Sequence, residues 1–549
     1  MNKPDAENSP RPQDQAEPCC SRRFLPKLLF ASVCLATLVV LALTLASRLR
    51  TQAQPNPTMA VASLERAAAE KLVPPPVPDN ENFGATPFFN RLFEKGAKAS
   101  DSRWPDDFSR ADQWPRHVPK LAESQQGRLT GRFPTDLVAW KTAFERSRDV
   151  LQSSNGESEI EVLEQVDPAA NAAAAAFVLD ALQPYAPVLS ELQAARVRPY
   201  TRFAVRYDWE NPWAILLPHL AVIKRTSQLL RLKASAELAA GRTEAALQDV
   251  LLLLRLADAP KDEPTLISQL VRVACFEISL HPIWEGLANR RWSEPQLQTL
   301  QATLESFDFL KDLKRVLAAE RTWGSLTIAL LRDRRTPNLS RFLLSSEDQK
   351  DVEPWLQEAD RAFENCPRDW FEAEQKNYCQ LSDELVAPGF DLGARRVFPR
   401  VSEENAHRLE KAFSQRDTLL EKHLVFAKLL LLPSPKVQLK LAGAQVSADL
   451  AVVACALERH QLRTGQYPQD LAALVPQFLN QLPHDVVNGQ PLHYQRTSDG
   501  RFLLYSVGWN ESDDGGEPGF FASGHGPEKR EGDWVWRYPA LAAARPSFE

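Results

Sequence analysis

The sequence predicts a mainly α-helical protein: an irregular helical array followed by a small α+β domain with an antiparallel sheet. Two observations carry this. From about Pro134 to Leu432, apolar residues recur at i, i+3, i+4 and i+7, and few stretches alternate with the period of a strand. Over Ala448–Gly516 the pattern then changes to a long amphipathic helix, a Gly465-Gln466-Tyr467-Pro468 stop, a short second helix within Gln469–Pro483, and compact hairpins ending in an acidic Gly loop. At 549 residues the chain is long for one core, which favours several domains. The expected divisions are a cytoplasmic tail (1–27), a transmembrane helix (28–46), a Pro-rich linker (47–82), an extended arm (83–133), a helical domain (134–435) and the α+β domain (436–549).

The tail is polar and Pro-rich, a composition that favours disorder. Leu28–Ala46 (LLFASVCLATLVVLALTLA) carries no charge. As a helix it spans about 28 Å, close to the ~30 Å hydrocarbon core of a bilayer. Arg22, Arg23 and Lys27 precede it and Arg48 and Arg50 follow, so charge favours an inside N-terminus only slightly. Size favours the same orientation, because nearly all of the chain follows the span. The simplest reading is a single-pass anchor in a bacterial inner membrane with a large extracytoplasmic, periplasmic body. Two alternatives stay open: a signal-peptidase site after Thr44-Leu45-Ala46, and a twin-arginine signal, which Ser21-Arg22-Arg23-Phe24-Leu25 loosely resembles although Pro26 breaks the pattern.

A short helix over Met59–Leu72 leads into Pro74-Pro75-Pro76-Val77-Pro78, which reads as an extended spacer. Phe83, Phe88, Phe89 and Phe93 then predict an arm packed on the body, since four exposed Phe would form an apolar patch. Helices follow at Thr135–Leu151, Pro168–Leu182, Ala214–Ala240, Thr243–Ala257, Pro264–Ala288, Pro295–Leu331, Glu353–Phe363 and Glu403–Leu431. Within Leu232–Ala257, Gly241 makes a turn, Ala246 permits close approach, and Val250 and Leu253 face a partner helix. This looks like one tetratricopeptide-type hairpin, but no second copy recurs at 34 residues, which argues against a regular solenoid.

A net charge of −6 speaks against nucleic acid as a partner, which needs a basic face. None of the seven cysteines is in a CxxC pair. Cys366 and Cys379 are close enough in sequence to bridge in an oxidising compartment, with two free thiols as the alternative. No metalloprotease, nucleophile-elbow, P-loop or dinucleotide motif is present. His219 and His281 sit beside prolines, where packing explains them. Arg198–Glu210 mixes arginines, aromatics and acids, which suits either a cleft for a carboxylate or sugar or a polar clamp between helices. Glu277 and Glu285, two turns apart on one helix, are the nearest thing to paired catalytic carboxylates.

The acidic loop Ser506–Glu517 offers Asn510, Asp513, Asp514 and Glu517 as side-chain oxygens, with Gly508, Gly515 and Gly516 to turn carbonyls inward. That composition suits calcium, which takes six to eight oxygens, and it suits a plain surface turn equally.

Several spaced motifs accompany this loop: Gly465-x-Tyr467-Pro468, Leu482-Pro483-x-Asp485, Asn488-Gly489-x-Pro491-x-x-Tyr494, and Asp513-Asp514-Gly515-Gly516. Together they resemble the globular end of type II secretion major pseudopilins. The resemblance implies a structural calcium in the loop, with Asn510 where that family often has Asp. It covers about 70 residues, and the pseudopilin leader is absent beside it, so polymerisation as a pseudopilus is not expected. Gly532–Pro539 reads as an additional edge strand. The whole body also resembles a group of uncharacterised bacterial membrane-anchored helical proteins, through stretches such as Leu266–Arg272 and Pro282–Leu287, and no activity comes with that resemblance. The function expected is therefore a non-enzymatic, membrane-tethered interaction or scaffold protein with protein partners in the cell envelope. The alternatives are an envelope enzyme acting on glycan or peptide, and an accessory subunit contacting a type II secretion or pilus-like system.

Overall fold

The structure is a computed structural model, and it describes residues 60–94, 120–121, 134–150, 161–162, 167–207, 209, 215–334, 366–414, 419, 421–431, 434–520 and 527–536. The predicted anchor Leu28–Ala46 and the predicted helix Glu353–Phe363 lie outside them.

The described residues are mostly helical. Helix α1 (Ala60–Glu70) and the short α2 (Pro87–Asn90) precede the array. The array runs α3 (Leu137–Val150), α4 (Pro168–Ala181), α5 (Ala186–Ala195), α6 (Pro218–Ala239), α7 (Thr243–Asp258), α8 (Leu266–Ala288), α9 (Glu294–Leu304) and α10 (Phe309–Arg334). It continues through α11 (Arg368–Leu381), α12 (Pro399–Ser414), α13 (Val425–Leu431) and the long α14 (Ser434–Thr464). Single-residue pairings aside, the strands form small ladders. β1 (Lys120–Leu121) pairs parallel with β2 (Glu161–Val162). β3 (Phe390–Asp391) pairs antiparallel with β4 (Arg396–Val397). The C-terminal region holds an antiparallel sheet in the order β5 (His493–Arg496), β6 (Phe502–Ser506), β9 (Trp534–Trp536), plus the hairpin β7 (Pro518–Phe520) with β8 (Pro527–Gly532). The expected edge strand is thus β9.

Local signals explain the boundaries. Asp167 caps α4 by accepting from the Ala169 amide, ahead of Pro168 at the first helical position. Thr265 caps α8 through Ser268. Gly241 ends α6 with φ +75, a conformation in which a Cβ is strained, and α7 returns against α6 with Ala246, Val250 and Leu253 fully buried. Two predicted helices are each broken. Pro295–Leu331 divides between α9 and α10, where Asp308 accepts from the Lys311 amide and Gln445 of α14 accepts from the Phe309 amide. Glu403–Leu431 divides between α12 and α13. There the Val425 and Phe426 amides donate to the two carboxylate oxygens of Glu374, at 3.0 Å each. Both interruptions are fixed by side chains remote in sequence. In place of the second short helix stands a 3-10 turn, Leu471–Leu474, capped by Asp470 and followed by a further turn in which the Phe478 amide donates to the Leu474 carbonyl.

The proposed division at residue 435 does not separate two cores. One apolar cluster runs from Ala69 through the array to Trp536. Helix α14 lies in it and packs on α8, α9 and α10 as well as on β6 and β9. From Leu450 to Leu457 every residue of α14 is buried, as expected of a helix covered on all sides. Two stretches, Leu266–Ala288 and Val425–Thr464 (the latter running over residues 432 and 433, which lie outside the described ones), are long and apolar enough to cross a membrane by length and composition. In this fold 61% and 94% of their apolar windows are buried inside the protein.

The array also buries charge. Arg272 of α8 is 1% exposed and pairs with Asp258 at 3.1 Å and Asp312 at 2.7 Å, its guanidinium 4.7 Å from the Phe309 ring. Burial holds the Asp312 carboxyl above its ordinary value in spite of that partner. A second, smaller core gathers Trp370, Phe371, Tyr378, Leu409, Phe413 and Phe426. Cys366 and Cys379 flank it as free thiols. Most of α11 separates them, a rise of about 16 Å, far beyond disulfide reach.

Two measurements test these packing arguments. Replacing Arg272 with Met strands two acids, one of which keeps Lys261 at 2.7 Å. The expected loss is about 3 kcal/mol, read by denaturation, and an unchanged midpoint would refute the role given to Arg272. Glu374 is fully buried, and burial pushes its carboxyl up to about 7. A folded pKa above the unfolded value near 4.5 means that the ionised form is disfavoured in the fold. Its contribution is therefore present below 4.5 and lost as pH rises through about 7, on the order of 3 kcal/mol. The melting temperature of Glu374→Gln, measured relative to the unaltered protein, is expected to rise between pH 5 and pH 8.

Candidate functional site

The residues singled out for chemistry fall into three places. The Arg198–Glu210 region meets the arm. Asn82 accepts from the Gly84 and Arg202 amides at 3.0 and 2.7 Å and donates to the Arg202 carbonyl at 2.8 Å. Arg198 donates to the Asp79 and Asn82 carbonyls, Arg202 to the Pro74 carbonyl at 3.0 Å, and Arg206 to the Phe93 carbonyl. Arg255 of α7 closes the joint from below, donating to the Arg198 and Tyr200 carbonyls with its guanidinium over Phe83. Phe83, Phe88 and Phe89 are buried, and Phe89 and His219 both lie against Phe203. Among the described residues the region is a clamp whose arginines hold backbone carbonyls of the arm. It also fixes much of the expected linker: α1 packs along α10, and Pro74 is tied to Arg202.

Glu277 and Glu285 are not brought together. Eight residues of helix separate them by about 12 Å of rise, wider than paired carboxylates in glycoside hydrolysis require. Glu277 accepts from Ser447 Oγ at 3.0 Å and lies 3.9 Å from Lys529 Nζ. Glu285 is buried and accepts from the Thr135 amide and from Ser235 Oγ. His281 Nε2 lies 3.1 Å from Thr135 Oγ1 and 3.8 Å from Glu285. Asn171 completes the arrangement by donating to the Thr135 carbonyl and accepting from the Leu137 amide, both at 2.7 Å. The carboxyl of Glu285 is raised by burial. This cluster joins the start of α3 to α4, α6 and α8; Thr135, Ser235, His281 and Glu285 are buried and Asn171 is half-buried. His219, the other histidine beside a proline, is buried 2.7 Å from Glu263.

The acidic loop is held from a direction the sequence did not signal. Asp533, 2% exposed, accepts from the Asp514 amide at 3.1 Å and the Gly516 amide at 2.6 Å, and donates its own amide to the Glu517 carbonyl. Gly508 (φ +69) passes so close that a Cβ there would meet the Gly532 carbonyl oxygen at 2.3 Å. Of the four candidate ligands, Asn510 donates to Asp514 at 2.8 Å. Asp513 turns instead to Tyr505 Oη at 3.0 Å and His493 Nδ1 at 3.4 Å, and the Gly515 amide lowers its carboxyl from the ordinary value. Glu517 is tied through its carbonyl to Asp533. Among the described residues, no three His, Cys, Asp or Glu side chains gather as a metal cluster. Asp513 and Asp514 thus turn to different partners, Tyr505 and His493 for one and Asn510 for the other. Asp533 sits at the junction of β8 and β9, 17 residues from Gly516, so no local signal tied it to the loop.

The motif residues around the loop each hold the region together. Tyr467 Oη donates to Glu458 at 2.6 Å, and Tyr494 Oη to the Pro468 carbonyl at 2.7 Å. Asp485 is buried and accepts from the Val487 and Val507 amides at 2.9 and 3.0 Å. The β3–β4 hairpin docks on the same segment, with the Val397 amide on the Val486 carbonyl and Arg396 on the Val487 carbonyl.

Asp533→Ala strands two amides and is expected to lower stability by about 1–3 kcal/mol, with faster hydrogen exchange at Asp514 and Gly516. Calcium titration separates this arrangement from a metal site. The geometry predicts no shift in melting temperature; a rise that Asp513→Ala abolishes would assign the loop to the metal. Comparison with protein-family models, with curated proteins and with solved structures found no match for this chain.

Proposed function

We propose that this chain is a non-enzymatic interaction protein tethered to the bacterial inner membrane by a single span, Leu28–Ala46, with its body extracytoplasmic. One observation carries the reading. The charged groups that suggested a ligand cleft or catalysis are spent on holding the fold: Arg198, Arg202 and Arg206 on arm carbonyls, and Glu285 on Thr135 and Ser235. What that construction supports is a rigid body locked to the segment that leaves the membrane. The chain from Ala46 to Ala60, where α1 begins, reaches at most ~50 Å, and α1 lies on α10. The body is thus kept beside the bilayer.

In this reading the array is the partner-binding surface. Its α6–α7 hairpin is similar to a tetratricopeptide unit in its Gly241 turn and close-approach Ala246. The C-terminal region, similar to the globular end of major pseudopilins through Tyr467, Asp485 and Tyr494, is the docking element. The same motifs favour a second reading, an accessory subunit contacting a type II secretion or pilus-like system.

Membrane fractionation with in-cell crosslinking tests both. The full chain is expected to stay in the pellet through an alkaline wash, and a chain lacking Leu28–Ala46 to be released. In spheroplasts, added protease should degrade the body. Retention of the span-deleted chain, or a protected body, would overturn the tether. Crosslinks to pseudopilins or their platform proteins would select the second reading, and crosslinks to other envelope proteins the first.

A further inference from the structure

Where α14 begins, cations from several elements converge without a matching set of acids. Lys436 and Lys440 are one turn apart on α14 and therefore share a face. Lys529 of β8 reaches over that face, because Gly443 leaves room for it: a Cβ at Gly443 would lie 3.3 Å from Lys529 Nζ and 4.0 Å from the Trp534 ring. Lys224 of α6 completes the group and acts electrostatically on both Lys440 and Cys275 of α8. All four lysines are exposed. The facing acid is Glu277, 3.9 Å from Lys529 and already accepting from Ser447. Among the described residues, Lys224, Lys436 and Lys440 make no ion pair. Three lysines thus act on Lys440, and the carboxylate of Glu277 lies beside the group at Lys529. Partial desolvation holds the Lys440 ammonium below its ordinary pKa, and Lys529, Lys436 and Lys224 lower it further.

Uncompensated like charge costs stability in the fold alone and is relieved by an anion of high charge density. Lysine serves such a ligand as a compact point charge with rotatable donors. We propose that Lys224, Lys436, Lys440 and Lys529 form a binding site for a phosphate group. Two sources supply that chemistry: a free phosphate compound, and the headgroup of an anionic phospholipid beside the tethered body. The second source rests on the anchor reading above, and the first does not.

The test is the rate at which an amine-reactive reagent labels Lys440 in the full chain, read by mass spectrometry. In neutral detergent, inorganic phosphate is compared with chloride at equal ionic strength. In nanodiscs, phosphatidylcholine alone is compared with phosphatidylcholine containing phosphatidylglycerol. A bound anion returns Lys440 toward its ordinary pKa, and each unit recovered cuts the free amine by about tenfold. Several-fold slower labelling is expected in at least one arm. Slowing by inorganic phosphate assigns a free phosphate ligand, and slowing only by phosphatidylglycerol assigns the headgroup. Lys529→Gln, with its melting temperature unchanged, is expected to lose that protection. Equal rates in both comparisons overturn the site. Incorporation of the chain into nanodiscs is scored separately, so failure of the anchor and failure of the site are distinguished.

Discussion

A helix with no solvent face is the constraint on which the rest of this structure depends. Around Leu450–Leu457, α14 buries every residue, and burial at roughly 25 cal/mol per Å2 of apolar surface is available only if both sides are covered. The array helices α8, α9 and α10 cover one side, and β6 and β9 another. The two parts are therefore halves of one core. Each half also completes the other's hydrogen bonding: Gln445 of α14 accepts from the Phe309 amide, and Arg395 pairs with Asp449 of α14 at 2.8 Å.

Around that helix, buried polar groups fix which arrangement is adopted. Glu374, Glu285 and Asp449 lie in the interior and Glu320 is half-buried, and burial raises the carboxyls of all four. Glu374 and Glu320 serve the free amides at the starts of α13 and α8, positions where an uncapped helix leaves donors unsatisfied. Arg272 joins α7, α8 and α10 through two aspartates. Such groups contribute less to net stability than apolar residues of similar volume would. Their effect is that a shifted packing strands a donor or a charge.

This is also why the chemistry suggested by single residues dissolves on folding. Glu277 and Glu285 share a helix and face different neighbours, Ser447 and Lys529 for one, Thr135 and Ser235 for the other. Arginines spaced like a ligand cleft close on carbonyls of the arm. Conversely, the lysine group at the start of α14 draws on residues from 224 to 529, and no window of sequence contains it.

The sequence by itself determined what depends on neighbours a few residues apart: the helical periodicity from α3 to α10, the turn at Gly241, the stop after α14, and the hairpin signals of β5 and β6. The uncharged run Leu28–Ala46 belongs to the same class of signal. The tertiary structure decided what depends on residues far apart. It broke two long helical patterns at Asp308 and before Val425, because Gln445 and Glu374 supply caps from elsewhere. It placed Asp533 under the acidic loop and turned Asp513 toward Tyr505, and it merged the expected domains through α14. The physical reason is range. Backbone propensity and amphipathic period act within a few residues, whereas burial and the satisfaction of buried polar groups are settled only when the whole chain has closed.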